Sequence, residues 1–544
     1  MVRRPLPTAV LAIGVLAAGA VGGPLAAGPA AAASTAAAPA AAPSTAARIA
    51  QWNDMRCGFA SAQEVRDDRP TTVRLAPATL TIGSIPANQW RKPASADPTW
   101  QLNLYSFVWL RPVAKRAFDD GQTKALARMV AQVDAFYVQN PDTGKSVRGW
   151  DEGSSLRRLE NLNCLYSLTY DPRLAKRMGQ EVALQFGPRY YGPPRHPVHN
   201  HGLMANLQVK RAGQLLGRKD WVERAKTRIR SEADLAFSAQ GTSMEQSAAY
   251  HIVNRNMWLT AAYRLAEIDE KDPIARQIRA QMDKATVVGR WLTEPDGDLV
   301  QIGDSRRTAG LEPEGTERAT AFRDDEAGLL VGRWSWTDPQ TSYYTLRYGP
   351  PRWAHGHHDK AAVTWSTAGT RVLVGPGYYS YDWSNPYAVR ARTLQAHNAA
   401  WAAGRKFNGR ANATLRTAGS SRDIHRFTMR DKVYGVAHTR HVQIAGPAKR
   451  LIVKDTYPGK TVVRQSWHLD TKWQLFNQRG KTLNFVHPDG KRLALTTSGG
   501  FVSSSRGKTR PVAGWNHPTT GSRIANWEIV TGGTGTVTTT FQVR

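Results

Sequence analysis

The chain has 544 residues, 73 Lys and Arg against 43 Asp and Glu, and a formal net charge of +30. That length exceeds what one hydrophobic core fills, so two or more domains are expected, and the positive field favours polyanionic partners. Cys57 and Cys164 alone exclude a disulfide framework and a four-thiolate zinc site, leaving one bridge or two buried thiols.

The chain opens on a short cationic start, Arg3-Arg4, followed by an apolar run from Ala9 to Val21 and small residues at Ala31-Ala32-Ala33. This pattern predicts a secretory signal over residues 1–33 and therefore an exported, extracellular protein. Pro24, Pro29 and the Gly/Ala-rich texture argue against an anchor, and no later stretch has the apolar length of a membrane span. Residues 34–50 are Ala, Pro, Ser and Thr almost throughout, which predicts a disordered linker.

Helical periodicity follows. Leu126, Met129, Val130, Val133, Phe136 and Tyr137 recur at three- and four-residue spacing, and similar patterns cover 156–186, 203–216, 249–268 and 274–292. Successive helices of this kind predict helical hairpins closing into a ring or solenoid over 51–320. From 321 to 544 the texture changes to short runs rich in Val, Thr, Tyr and Trp separated by turn residues. One example is 483–486, then Pro488-Asp489-Gly490, then 492–496. Others cover 361–367, 371–374 and 536–543. A helical domain followed by an antiparallel β domain gives an α+β two-domain chain.

Three polar groups stand out against this framework. His355-Gly356-His357-His358-Asp359-Lys360 places imidazoles and a carboxylate near the change of texture, and alternation along a strand would set His355 beside His357. His397 is placed to join them from a neighbouring strand. Asn200-His201 sits at a predicted helix start, where Asn is a favoured cap but His201 has no such explanation. Glu245 and Ser247 precede Tyr250 and His251 on another helix, where they can orient a phenol whose bland role is core packing. Trp150, Arg158 and Asn161 form a fourth group, in which Arg158 can grip a carboxylate through two parallel hydrogen bonds. Most of the 18 tryptophans are expected in the core, with some left as stacking faces for sugar rings.

Taken in order, Arg158-Leu159-Glu160-Asn161, Asn200-His201-Gly202-Leu203, Glu245-Gln246-Ser247 with Tyr250-His251, Ile302-Gly303-Asp304, the His355–Lys360 stretch, and Gly375-Pro376-Gly377-Tyr378 with His397-Asn398 resemble the heparinase II/III-like polysaccharide lyases. The resemblance implies an incomplete (α/α) toroid followed by a multilayered antiparallel β-sandwich. It also implies β-elimination on a uronic-acid-containing polysaccharide, a glycosaminoglycan or alginate among the candidates. Tyr250 matches the family's acid, which also serves as base in a syn elimination, and His201 the base of an anti one. Asn200 and His355 match the groups that neutralise the uronate carboxylate. Arg158, Asn161, Glu245, His251 and Trp150 are carried as substrate-binding residues. The family's structural zinc maps to His357, His397 and, in place of an aspartate, Gly375, which has no side chain to offer; Asp359 or Asp382 would have to complete the site.

The chemistry makes the same demands without the family. The C5 proton of a uronate is weakly acidic while the adjacent carboxylate is ionised, so donors must offset that charge as the carbanion forms. Two rival readings remain: a non-catalytic module holding acidic glycans, and a metal-dependent hydrolase built on His355–Asp359. Basic residues scattered through folded segments, and not gathered in an arm or a basic helix, argue against nucleic acid.

Overall fold

The structure, a computed structural model, describes residues 42–57, 72–75, 78–81, 90–91, 93, 98–141, 143, 148–191, 200–266, 271–314, 317–351 and 355–544. The predicted signal over 1–33 lies outside them. The chain divides into two compact units, residues 1–232 and 233–544.

The first unit is helical: α1 (Thr45–Asp54), a small hairpin of β1 (Thr72–Leu75) and β2 (Ala78–Thr81), then α2 (Pro98–Tyr105), α3 (Leu110–Asp119), α4 (Thr123–Gln139), α5 (Glu152–Thr169), α6 (Pro172–Phe186), α7 (Asn200–Leu215) and most of α8 (Lys219–Ala236). The periodicity that predicts α4 is the periodicity of its burial, since Leu126, Met129, Val130, Val133, Phe136 and Tyr137 all enter one core. Helix α6 starts where Asp171 accepts from the amide of Arg173 at 2.9 Å and Pro172 pre-sets the first turn. Part of the linker expectation is corrected here. Ser44 caps α1 by accepting from the Ala47 amide, so residues 45–50 are helical, and the buried Trp52 ties that helix to the core. Cys57, just past α1, is bridged to Cys164 of α5, which decides between the two cysteine alternatives.

Helix α8 has no counterpart in the sequence reading. Charged residues cover most of its surface, and the positions it buries within the first unit are Ala225, Ile229 and the carboxylate Glu232, which do not read as an apolar stripe.

The second unit holds α9 (Ala248–Ala266), α10 (Pro273–Trp291), a short α11 (Pro386–Ala391) and the sheets. Five antiparallel strands, β3 (Ala321–Asp324), β4 (Leu329–Arg333), β5 (Tyr343–Arg347), β6 (Val363–Thr367) and β7 (Thr370–Leu373), pair in chain order. The next strands are β8 (Ala400–Ala402), β9 (Ala413–Ser420), β10 (Ile424–Asp431), β11 (His438–Ala445), β12 (Arg450–Thr456) and β13 (Val462–His468). They are followed by β14 (Gln474–Arg479), β15 (Thr482–Val486), β16 (Arg492–Thr497) and β17 (Gly500–Arg506). After two short hairpins, β18 (Lys508–Thr509) with β19 (Val512–Ala513) and β20 (Trp515–Asn516) with β21 (Ile524–Ala525), the chain ends in β22 (Trp527–Thr534) and β23 (Thr536–Val543). An eight-stranded sheet has the order β14-β15-β16-β23-β12-β11-β10-β9, and a four-stranded sheet the order β17-β22-β13-β8.

All five residues of β4, β5 and β6 are buried, as expected of a sheet covered on both faces. Val288, Trp291 and Leu292, at the end of α10, share one core with Leu329, Val331 and Tyr343, so this sheet is packed against a helix. A larger core gathers Trp365, Trp467 and Trp473 with the inward residues of the eight-stranded sheet. The fold is the predicted one, a helical toroid-type region followed by layered antiparallel sheets. Among the described residues, no helix is long and apolar enough to cross a membrane.

Candidate active site

In the second unit, three separate stretches meet at Gly303. Its φ is +58°, and a Cβ there would lie 2.5 Å from the carbonyl oxygens of both Gln246 and His355. Glycine is therefore required twice, for the left-handed backbone and for the close approach. The Asp304 amide donates to the His355 carbonyl at 2.8 Å, and the Ala248 amide to the Ile302 carbonyl at 3.3 Å. Ser247 caps α9 by accepting from the Tyr250 amide at 3.3 Å, and its hydroxyl also meets that of Ser305 at 3.1 Å.

These junctions fix a phenol, an imidazole and a carboxylate. The rings of Tyr250 and His355 are stacked, 9° from parallel. His355 Nδ1 donates to the carboxylate of Glu245, which is fully buried, so the ring is held in one orientation with Nε2 at its other edge. The Tyr250 hydroxyl hydrogen-bonds that of Tyr381 at 2.8 Å. Burial, and to a smaller degree the charges of Asp304 and Glu245, push the Tyr250 phenol above its ordinary range, while Tyr381 and Arg306 oppose this. Tyr381 is pushed up as well, chiefly by burial. Both phenols hold their protons at neutral pH.

Around them, Tyr378 packs against Tyr381 at 4.7 Å between centroids, and Arg306 lies over the Tyr378 ring at 5.6 Å. Arg392 pairs with Asp304 at 2.6 Å and also lies over Trp383, which is 49% exposed. Burial alone would raise the Asp304 carboxyl, but Arg392 and the hydrogen bond from His357 hold it below its usual range.

The His355–Lys360 stretch is not a strand, and its side chains diverge. His357 Nε2 donates to Asp304 at 2.9 Å, His358 meets the edge of Phe407, Asp359 pairs with Arg347 at 3.4 Å and Lys360 donates to the Gly349 carbonyl. Strand β6 begins only at Val363, so the expected alternation of His355 and His357 does not arise. The metal-hydrolase reading therefore lacks a convergent ligand set.

The implied zinc site fits no better. His357 Nδ1 faces His397 Nε2 at 3.2 Å, while His397 Nδ1 donates to the Thr393 carbonyl at 2.8 Å. Burial and the neighbouring His357 push His397 down to about 3. A Cβ at Gly375 would lie 1.9 Å from the Gln301 carbonyl oxygen, so the position has neither a side chain nor room for one. Asp359 is taken by Arg347, and Asp382 caps its own turn by accepting from Ser384. Among the described residues no three His, Cys, Asp or Glu groups are placed to hold a metal ion. Two imidazoles fall short of the four ligands of a structural zinc.

In the first unit, Asn200 opens α7 and is buried together with His201. His201 Nδ1 donates to Glu152 Oε1, at the start of α5, at 2.9 Å, an orienting partner absent from the sequence reading. The fourth predicted group is corrected. Arg158 is fully buried, its guanidinium bound to Glu181 at 2.6 Å and to the carbonyls of Tyr105 and Gly149, with aromatic faces at Phe136 and Trp150. It is an internal strut with no reach to a substrate. Trp150 donates to the Asn140 carbonyl and is 3% exposed, and Asn161 donates to the carbonyls of Ser106 and Arg157. His251 is internal as well. The Ser243 amide donates to its Nδ1, its Nε2 donates to the Ala285 carbonyl, and burial pushes it down to about 4. Glu245 acts through His355 and is shielded from solvent.

Sequence reasoning missed Tyr381, Glu152, Arg306 and Arg392, and quoted Asp304 without giving it a role. Tyr381 stood three residues beyond the Gly375–Tyr378 motif in a Tyr-rich run, which was the available signal.

Helices followed by layered antiparallel sheets are the fold of the heparinase-type lyase structures. The family model described as "Heparinase II/III-like, C-terminal" matches residues 324–543. Among solved structures, heparinase III aligns with a TM-score of 0.65 at 13% identity, covering 93% of this chain and 86% of that one. A mutant of heparan sulfate lyase HepC from Pedobacter heparinus aligns with a TM-score of 0.60 at 15% identity, covering 87% and 81%. Identities this low speak for the fold alone. No curated protein matches the chain by sequence.

Proposed function

We propose that the protein is a secreted polysaccharide lyase that cleaves a uronic-acid-containing anionic polysaccharide by β-elimination. The proton leaves C5, the C4–O bond breaks as the C4=C5 double bond forms, and the departing glycosidic oxygen takes a proton. One fragment then carries an unsaturated sugar at its new non-reducing end.

The observation that carries this reading is the buried arrangement of Tyr250 against His355, with Glu245 behind the imidazole and Tyr381 on the phenol. A phenol that keeps its proton suits protonation of the leaving oxygen. Tyr381, in hydrogen-bond contact, orients the Tyr250 oxygen; in a syn elimination the same Tyr250 group enters as phenolate, takes the C5 proton and passes that proton to the departing glycosidic oxygen. In its imidazolium form His355 donates from Nδ1 to Glu245 and from Nε2 to a substrate carboxylate, and we assign His355 and Asn200 to offsetting that charge. His201, oriented by Glu152, is the base we assign to an anti elimination. Export agrees with the Cys57–Cys164 bridge, since such bonds persist in oxidising compartments.

The test is Tyr250→Phe, which removes the proton and keeps the ring against His355. Turnover on a susceptible uronan should fall by about 10²–10⁴-fold with polymer binding retained. Turnover at the wild-type rate would refute the assignment.

A further inference from the structure

The eight-stranded sheet has an inner face and an open one. Phe427, Val442, Leu451, Leu493 and Phe541 point into the core that holds Trp365 and Trp467. The residues between them point outward, and Arg426, Arg430, His441, Arg450, Lys454 and Arg492 are all exposed.

Register shows what stands between these cations. Arg430 is opposite Thr439, then Thr456, then Thr536 across β10, β11, β12 and β23. The next outward row runs Thr428, His441, Lys454 and Thr538. A third runs Arg426, Gln443, Ile452 and Thr540, continuing to Thr496 and Thr482 on β16 and β15. The cations of β10 and β12 fall in neighbouring rows, two strand spacings and one two-residue step apart, so Arg430 and Arg426 each stand roughly 12 Å from Lys454, with Thr439, His441 and Gln443 of β11 between them.

Among the described residues, no acidic side chain points outward from these strands. The acidic residues of these strands, Asp431 and Asp455, point inward, where they hold His438 and Arg440. Asp423 and Asp489 occur only in the turns at the rim, and Asp489 is paired with Lys491. Among the described residues, none of Arg426, Arg430, Arg450, Lys454 and Arg492 is in an ion pair, so the face forgoes the stabilisation that opposite charges across strands would supply.

We propose that this open face is a second binding surface for an anionic polysaccharide chain, on strands that contribute nothing to the Tyr250 site. The proposal rests on the reading of the protein as acting on such a polymer. Spaced cations interleaved with threonine hydroxyls match a chain that alternates sulfate or carboxylate groups with sugar hydroxyls. Duplex DNA is the poorer fit, because a flat sheet face sends no helix or ribbon into a groove.

The test uses Arg430→Ser/Arg450→Ser/Lys454→Ser in the full chain carrying Tyr250→Phe, so that polymer is bound and not consumed. Long heparan sulfate chains and a heparan sulfate tetrasaccharide are the probes. The triple variant should bind long chains at least about 10-fold more weakly, with a log–log salt dependence shallower by about one per lost contact, and bind the tetrasaccharide as before. With Tyr250 restored, KM on long chains should rise while kcat on the tetrasaccharide stays unchanged. Unchanged binding of long chains, an equal loss on the tetrasaccharide, or equally tight and equally variant-sensitive binding of duplex DNA would each overturn the proposal. A protein that binds long chains through this face yet yields no unsaturated product sinks the lyase reading and leaves the surface standing.

Discussion

Gly303→Ala tests whether the junction of the three site stretches is as tight as the geometry indicates. Alanine at φ +58° costs about 1–2 kcal/mol through its own backbone. The added methyl group also meets the Gln246 and His355 carbonyl oxygens at 2.5 Å, so each must retreat by about 0.9 Å to reach an ordinary contact of 3.4 Å. Overpacking of that kind adds roughly 1–3 kcal/mol. The retreat displaces the backbone that carries His355 and loosens the hydrogen bond from the Asp304 amide, and a misplacement near 1 Å lowers turnover by about 10²-fold. Gly297→Ala is the matched control, since its φ is +86° but nothing lies within 4 Å of the new Cβ. Denaturant unfolding should therefore show Gly303→Ala less stable than Gly297→Ala by about 2 kcal/mol, with only the former losing turnover. Equal losses in the two variants, or full activity in Gly303→Ala, would refute the reasoning.

Three further outcomes follow from buried groups. Burial alone would lower His438, but its hydrogen bonds to Asp431 and Asp455 raise it to about 9. Its stabilisation is thus complete below the unfolded value near 6.5 and fades as pH rises through 9, by about 3 kcal/mol in all. Unfolding measured from pH 6 to 10 should show this decline in the wild type and not in His438→Gln; parallel curves would contradict it. Arg158→Met strands Glu181 in the core and should cost about 3–5 kcal/mol, part of which Arg158→Met/Glu181→Met restores. Wild-type stability with a raised KM would return Arg158 to substrate binding. Elemental analysis should find no stoichiometric zinc, and a chelator should leave the melting temperature unchanged; one zinc per chain whose removal lowers it would show that the His357–His397 pair recruits ligands differently.

Much of the fold was legible because its long helices and terminal strands carry strong periodicity. The apolar residues of α4 are its buried residues, and the Pro488–Gly490 turn joins β15 to β16 as read. Helix α8 was not legible, since its buried stripe of Ala225, Ile229, Glu232, Ala233 and Ala236 is mostly small residues with a carboxylate among them, and α1 was hidden in low-complexity sequence until Ser44 supplied its cap. At the site, sequence named Tyr250 and His355 but not their supports. Glu245 was assigned to substrate because a carboxylate near a phenol looks functional, whereas its distance in sequence from His355 concealed their pairing. Arg158 failed for a related reason. Nothing in 158–161 announces Glu181, and an arginine with a buried partner reads the same as one awaiting a ligand.

The elimination chemistry is tested most directly by incubating the purified protein with uronic-acid polymers while recording ultraviolet absorbance and new reducing ends together. The account predicts that both rise in step on at least one polymer, one double bond for each bond cut, and that Tyr250→Phe suppresses both. New reducing ends without absorbance would mean hydrolysis, and would contradict it.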